Sequence, residues 1–144
     1  MVSLSIYQRH LDTIPKQYQL LKLFRPPIYV IELSNNQLSA VCYYKDGSSK
    51  RYQVTADFSN RRMVIADFLS AVQAMTDLLL KFSKHPFGIS SFAVVNVTEV
   101  LADGLTNIEI KVVKEAFFVG STQAKRKIVH TAVSYQGQPV AVNE

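Results

Sequence analysis

The chain has 144 residues, of which 48% are hydrophobic and 19% charged, and its formal net charge is +5. This composition predicts one folded domain and excludes a disordered or low-complexity chain. No apolar run approaches the roughly 18 residues of a transmembrane helix, and Arg9, His10 and Asp12 interrupt the N-terminus, which therefore lacks a signal-peptide core.

The first 27 residues are predicted to be an N-terminal extension. Residues 1–15 show no regular pattern, and Lys16–Phe24 predicts a short helix that Pro26-Pro27 must end. Apolar and basic residues lie together there, as in an amphipathic segment that contacts a partner or a membrane surface: Leu20, Leu21, Lys22, Leu23, Phe24 and Arg25. The alternative is that the apolar residues of this segment close one end of the core.

Three strands are predicted next, as an antiparallel meander. They are Ile28–Leu33, Leu38–Tyr44 and Arg51–Phe58. Asp46-Gly47 is a strong hairpin signal because glycine accepts the positive φ that the turn requires. The third strand alternates between apolar and polar residues, so one of its faces is expected to meet water. The single cysteine, Cys42, is predicted to be buried and reduced, which favours the cytoplasm.

Two helices and two more strands follow. The first helix, at about residues 66–83, has an apolar stripe of Phe68, Leu69, Val72, Met75, Leu78, Leu79 and Phe82. After a strand at Ser91–Val97, a capping box at Thr106–Glu109 begins the second helix, and Gly120 predicts its end. Its predicted inner face consists of Ile108, Val112, Val113, Ala116 and Phe117. Lys127–Val133 predicts the fifth strand.

The order of these elements predicts the fold class. Three strands, a helix, a strand, a helix and a strand form a ribonuclease-H-like α/β domain, with a mixed five-stranded sheet packed with helices. We assign it to residues 28–133, after an N-terminal extension of residues 1–27. Residues 134–144 are predicted to be a C-terminal tail or a short extension of the sheet edge.

The same order is the core of each half of the actin-like ATPases, and three segments resemble bacterial MreB-type rod-shape-determining proteins. Asn60–Phe82 resembles the segment in which an isoleucine-alanine-aspartate-phenylalanine run opens a long helix. Val100–His130 resembles the following helix and its basic, apolar strand, and Ile28–Val41 falls where that family has its first phosphate loop. The resemblance implies a stand-alone version of the N-terminal (IA-like) subdomain, without the half that supplies the second phosphate loop and the adenosine pocket.

The phosphate loop that the resemblance implies is altered in this sequence. Glu32 and Ser34 replace the family's Asp-x-Gly pattern, and the turn Asn35-Asn36 has no glycine, so a side chain stands where a phosphate needs close backbone approach. The histidines show no metal-ligand spacing and are interpreted as structural: His10, His85 and His130. We therefore expect no cofactor, no metal, no catalytic site and no enzymatic activity.

A ribonuclease-H-like metal-dependent nuclease, or a nucleic-acid-binding module, is the alternative function. Glu32, Asp67 and Glu99 could supply carboxylates to two metal ions, although each is also explained as a cap or a surface group. The basic clusters Arg61-Arg62 and Lys125–Lys127 are interpreted as solvated loops, which argues against nucleic acid as a partner.

The leading hypothesis is a non-catalytic protein-interaction module derived from an actin-like (MreB-type) subdomain and associated with a cytoskeletal or membrane-linked assembly. The expected partner is another protein, either an actin-like filament or a second copy of the chain. A membrane surface is the further option for Leu20–Arg25. The protein is accordingly expected in the cytoplasm, free or at the inner face of the membrane.

Overall fold

A computed structural model describes residues 2–60, 63–83, 90–99 and 104–139. The helices within these ranges are α1 (Val2–Asp12), a 3-10 helix (Lys16–Tyr18), α2 (Gln19–Leu23), α3 (Phe68–Leu80) and α4 (Asn107–Gln123). The strands are β1 (Ile28–Ser34), β2 (Gln37–Tyr43), β3 (Ser49–Thr55), β4 (Ser91–Val97), β5 (Ile128–Tyr135) and β6 (Gln138–Pro139).

The strands form one mixed sheet with the order β3-β2-β1-β4-β5-β6. The first three strands are antiparallel to one another, whereas β1, β4 and β5 are parallel. This is the topology of ribonuclease-H-like domains and of actin-like subdomains, so the predicted fold class is confirmed. The short β6 is a sixth strand, which pairs antiparallel with Ser134 and Tyr135 and extends the sheet edge by a hairpin.

The main core lies between the sheet and the helices α3 and α4. Alternate residues of β1, namely Tyr29, Ile31 and Leu33, point to this side and are buried with apolar residues of both helices. Apolar residues of β2 and β4 complete this layer, among them Cys42, which is fully buried in β2 as predicted. Burial raises the pKa of the Cys42 thiol to about 12.

A second, smaller core lies on the opposite face of the sheet and is covered by α1. Ile28 and Phe92 point to this side and pack with Tyr7, Leu11 and Ile14. The sequence does not predict α1, because residues 1–15 show no regular pattern in it. Tyr7 and Leu11 are four residues apart, the helical spacing that places both side chains on one face.

The predicted helix end at Gly120 is also wrong, because α4 continues to Gln123. Gly120 is instead the point at which α4 approaches α3 most tightly. A Cβ atom added there would lie 2.8 Å from Cβ of Met75 and 3.3 Å from the carbonyl oxygen of Val72. Glycine is required at this position by helix packing and not by chain termination.

The inner faces of α3 and α4 differ from the predicted stripes at three residues, and Phe68, at the start of α3, is the least exposed of them at 36%. Leu69 is 78% exposed and Ile108 is 74% exposed. Successive helical residues turn by about 100°, so a buried face centred on Ala71 and Met75 leaves Leu69 on the outside. In α4 the inward residue of the first turn is Ile110, not Ile108.

Three local signals are confirmed, although β3 ends at Thr55 and not at Phe58, and α3 ends at Leu80 and not near residue 83. Asp67 is the N-cap of α3 and accepts a hydrogen bond from Ser70 N at 3.1 Å. Thr106 is the N-cap of α4; its hydroxyl accepts from Glu109 N and donates to the Glu109 carboxylate at 3.0 Å. Gly47 has φ 89° in the β2–β3 hairpin.

Candidate functional site

Three apolar side chains are exposed on α2 and at its end. Leu20 and Leu23 are each 73% exposed, and Phe24 is 58% exposed. We call these three residues the α2 apolar surface. The alternative that they close one end of the core is wrong for all three.

The other three residues of the predicted segment hold α2 on the domain. Leu21 packs against the smaller core, and Lys22 Nζ donates a hydrogen bond to the carbonyl oxygen of Ile14 at 3.3 Å. The Arg25 guanidinium lies 5.3 Å from the ring centre of Tyr7. The six predicted contact residues therefore divide into an anchoring set and an outward set, which keeps the α2 apolar surface facing solvent.

The tight turn between β1 and β2, where the sequence placed the altered phosphate loop, has its backbone amides engaged within the protein. Asn35 N donates to a carboxylate oxygen of Glu99 at 2.9 Å, and Asn36 N donates to the Ser59 hydroxyl at 3.0 Å. The Asn36 side-chain oxygen accepts from the amides of Phe58 and Ser59. The negatively charged group bound at this turn is thus the Glu99 carboxylate and not a phosphate.

The three carboxylates of the nuclease alternative have separate partners. Glu32 accepts a hydrogen bond from Asn96, Asp67 caps α3, and Glu99 binds the β1–β2 turn. Within the described ranges, no group of three or more His, Cys, Asp or Glu residues could hold a metal ion. The two-metal arrangement is not formed by these residues.

A cavity of about 390 Å³ lies on the sheet face that carries α1. Its floor consists of one half-buried apolar residue from each of β1, β4 and β5: Val30, Val94 and Ala132. One wall is the side of α1 and the residue that follows it, with Arg9, His10 and Thr13. We call this space the sheet-face cavity.

A row of polar residues forms the other wall of the sheet-face cavity. Glu32, Asn96 and Ser134 are neighbours across β1, β4 and β5. Asn96 Nδ2 donates to Glu32 at 2.9 Å, and Asn96 Oδ1 accepts from the Ser134 hydroxyl at 2.7 Å and from Gly137 N at 3.0 Å. This network fixes the positions of the three side chains before any ligand binds.

The two described histidines have aromatic neighbours. The ring centre of His10 lies 5.4 Å from that of Tyr43, and His130 lies 5.2 Å from Tyr18. Burial lowers the pKa of both histidines, with smaller contributions from Arg9 and Lys114 respectively. Both rings are packed as structural residues, and His85 lies outside the described residues.

The basic cluster Lys125–Lys127 is not wholly a solvated loop, because its middle residue is bonded within the protein. Arg126 is half-buried and donates to the carbonyl oxygens of Ala124 and Phe82, each at 2.7 Å, which ties the end of α4 to the end of α3. Lys125 and Lys127 are exposed. Arg61-Arg62 lies outside the described residues.

Sequence reasoning missed Asn96 and Ser134 as members of a site. The available signal was the interruption of two apolar strands by polar residues, at Asn96 in β4 and at Ser134 in β5. Asn96 bonds to Glu32 and Ser134 bonds to Asn96, and this chain of contacts depends on strand order and register, which a single sequence does not contain. Among the described residues, no helix is long and apolar enough to cross a membrane.

No protein-family model and no curated protein matches the sequence. Among solved structures, the ethanolamine utilization protein EutJ from Carboxydothermus hydrogenoformans is 13% identical with a TM-score of 0.44, over 81% of this chain and 50% of that one. The PPX-GPPA enzyme of Aquifex aeolicus is 10% identical with a TM-score of 0.42, over 75% and 36%. The chain therefore spans half or less of the length of these two proteins.

Proposed function

We propose that this actin-like domain is a non-catalytic interaction module that binds another protein through the α2 apolar surface. The single observation that carries the proposal is the outward placement of Leu20, Leu23 and Phe24 on a segment that is itself anchored. Exposed large apolar side chains that lie together favour association, whereas isolated ones are ordinary. The proposed partner is an MreB-type filament.

The positive charge near α2 indicates what kind of partner surface would bind there. Lys16 is exposed just before α2, Arg25 is half-exposed just after it, and the whole chain carries a net charge of +5. An apolar patch bordered by acidic residues would complement this arrangement. A membrane with anionic headgroups is also both apolar and negatively charged, so membrane binding is the competing interpretation of the α2 apolar surface.

The absence of catalysis is part of the same proposal. The support for it is the β1–β2 turn, whose amides donate to Glu99 and Ser59 and so have internal acceptors in place of a phosphate. Calorimetric titration with magnesium and ATP is expected to give no heat of binding. Saturable, stoichiometric binding would contradict the non-catalytic part of the proposal.

The binding surface is tested by co-sedimentation of the full chain with polymerised MreB-type protein. The triple variant L20S/L23S/F24S removes the α2 apolar surface, and L69S/I108S is the matched control, since it removes two equally exposed apolar residues from α3 and α4. We expect the wild type and the control to sediment with filaments and the triple variant to remain in solution. Circular dichroism checks that both variants are folded.

Two parallel measurements separate the competing partners. Flotation with vesicles of phosphatidylcholine and phosphatidylglycerol tests the membrane, and analytical ultracentrifugation tests self-association. Binding to vesicles without binding to filaments would overturn the protein-partner proposal in favour of a lipid surface. Equal sedimentation of the triple variant and the wild type would show that the α2 apolar surface is not the contact.

A further inference from the structure

The sheet-face cavity combines an apolar floor with two polar walls of different charge. Val30, Val94 and Ala132 supply the floor. Among its described lining residues, Arg9 on the α1 wall and Glu32 on the polar row carry opposite charges. Its volume of about 390 Å³ is within the range of small-molecule sites, roughly 300–1,000 Å³.

The polar row is preorganised to accept hydrogen bonds. A carboxylate has about four acceptor positions, and the Asn96 amide occupies one of those of Glu32. Ser134 uses its hydroxyl proton on Asn96, so its oxygen remains an acceptor. A ligand group that donates several hydrogen bonds and carries positive charge, such as a primary ammonium, suits this wall.

The α1 wall suits the opposite kind of group. Arg9 is a cation with several N–H donors, which match a carboxylate. His10 beside it is packed on Tyr43, and burial lowers its pKa, so around neutral pH it adds no second positive charge. The Thr13 hydroxyl donates to the carbonyl oxygen of His10, so its proton is not directed at the cavity.

We propose that the sheet-face cavity binds a small zwitterion with an apolar body, namely an ω-amino carboxylate. The ammonium group binds Glu32 and Ser134, the carboxylate binds Arg9, and the methylene chain lies on Val30, Val94 and Ala132. This site is separate from the α2 apolar surface and does not depend on the function proposed for that surface.

Three probes of equal chain length test the assignment. They are 6-aminohexanoate, hexylammonium and hexanoate, each titrated into the isotope-labelled full chain and followed by amide chemical shifts. We expect 6-aminohexanoate to shift the amides of Val94 and Ala132, and each single-charge probe to bind about tenfold more weakly, because each lacks one charge-assisted interaction.

Variants connect the binding to the two walls. E32Q and R9Q are each expected to weaken 6-aminohexanoate about tenfold, whereas the control K111Q, in α4 on the other face of the sheet, should leave its affinity unchanged. A132F fills the floor and should abolish the shifts; its unfolding transition, measured alongside, shows whether it is folded. Equal binding of hexanoate or hexylammonium, or no shift of cavity amides with any probe, would overturn the proposal.

Discussion

Replacement of Gly120 by alanine should destabilise the domain, although alanine is the better helix former. The added Cβ would lie 2.8 Å from Cβ of Met75, a distance at which one helix must move. Overpacking of this kind lowers the free energy of unfolding by about 1–3 kcal/mol, and the higher helix propensity of alanine raises it by about 1 kcal/mol. We therefore expect G120A to lower the free energy of unfolding by about 1 kcal/mol, which is equivalent to a fall of about 4 °C in Tm for a chain of this size.

Urea unfolding followed by far-ultraviolet circular dichroism measures this free energy. G120V should lower the free energy of unfolding more than G120A does, because two further methyl groups enter the same contact with α3. T122A is the matched control, since Thr122 is exposed in the last turn of the same helix and should change stability by less than about 0.5 kcal/mol. If G120A were as stable as the wild type or more stable, the close approach of α3 and α4 could not be the reason for glycine.

Three further predictions concern two buried residues, Tyr7 and Cys42, and the half-buried His10. Y7F removes the buried hydrogen bond from the Tyr7 hydroxyl to the Pro26 carbonyl oxygen and should lower the free energy of unfolding by about 1–2 kcal/mol; an unchanged urea midpoint would contradict this role of α1. Cys42, whose pKa burial raises to about 12, should react with Ellman's reagent at pH 8 only as fast as the domain unfolds, and prompt reaction in native buffer would be inconsistent with its position. Burial lowers the pKa of His10 in the folded state, so the unfolded chain binds more protons at this residue. The free energy of unfolding should therefore decrease as pH falls from about 7 through 6.5 towards the folded-state pKa. H10F should reduce this dependence of the free energy of unfolding on pH, and an equal dependence in the variant would exclude His10 as its source.

The order of the predicted strands and helices led to the correct architecture. Period-two alternation and turn residues located the meander, and Asp46-Gly47 located its hairpin, because these features act within a few neighbouring residues. The helix starts at Asp67 and Thr106 were predictable for the same reason, since a cap bonds to an amide only two or three residues away. These parts of the fold depend on local chemistry that a sequence displays directly.

The candidate sites were only partly predictable. Composition identified Leu20–Arg25 as amphipathic, but which of its side chains face outward depends on how α2 docks on Ile14 and Tyr7. The sheet-face cavity was not predicted, because its residues come from α1, β1, β4 and β5. Their proximity is set by the parallel pairing of strands that are distant in the chain.

Gly120 shows most clearly where the sequence stops being sufficient. By itself, the sequence determined five of the six described strands, the two helix caps and the order of elements from β1 to β5, since hydrogen bonds and side-chain periodicity within one segment specify them. A glycine near a helix end, however, is compatible both with a terminus and with a close helix contact. Only the packing of α4 on α3 decided between the two, because the atoms that exclude a Cβ there belong to Met75 and Val72, more than forty residues earlier in the chain.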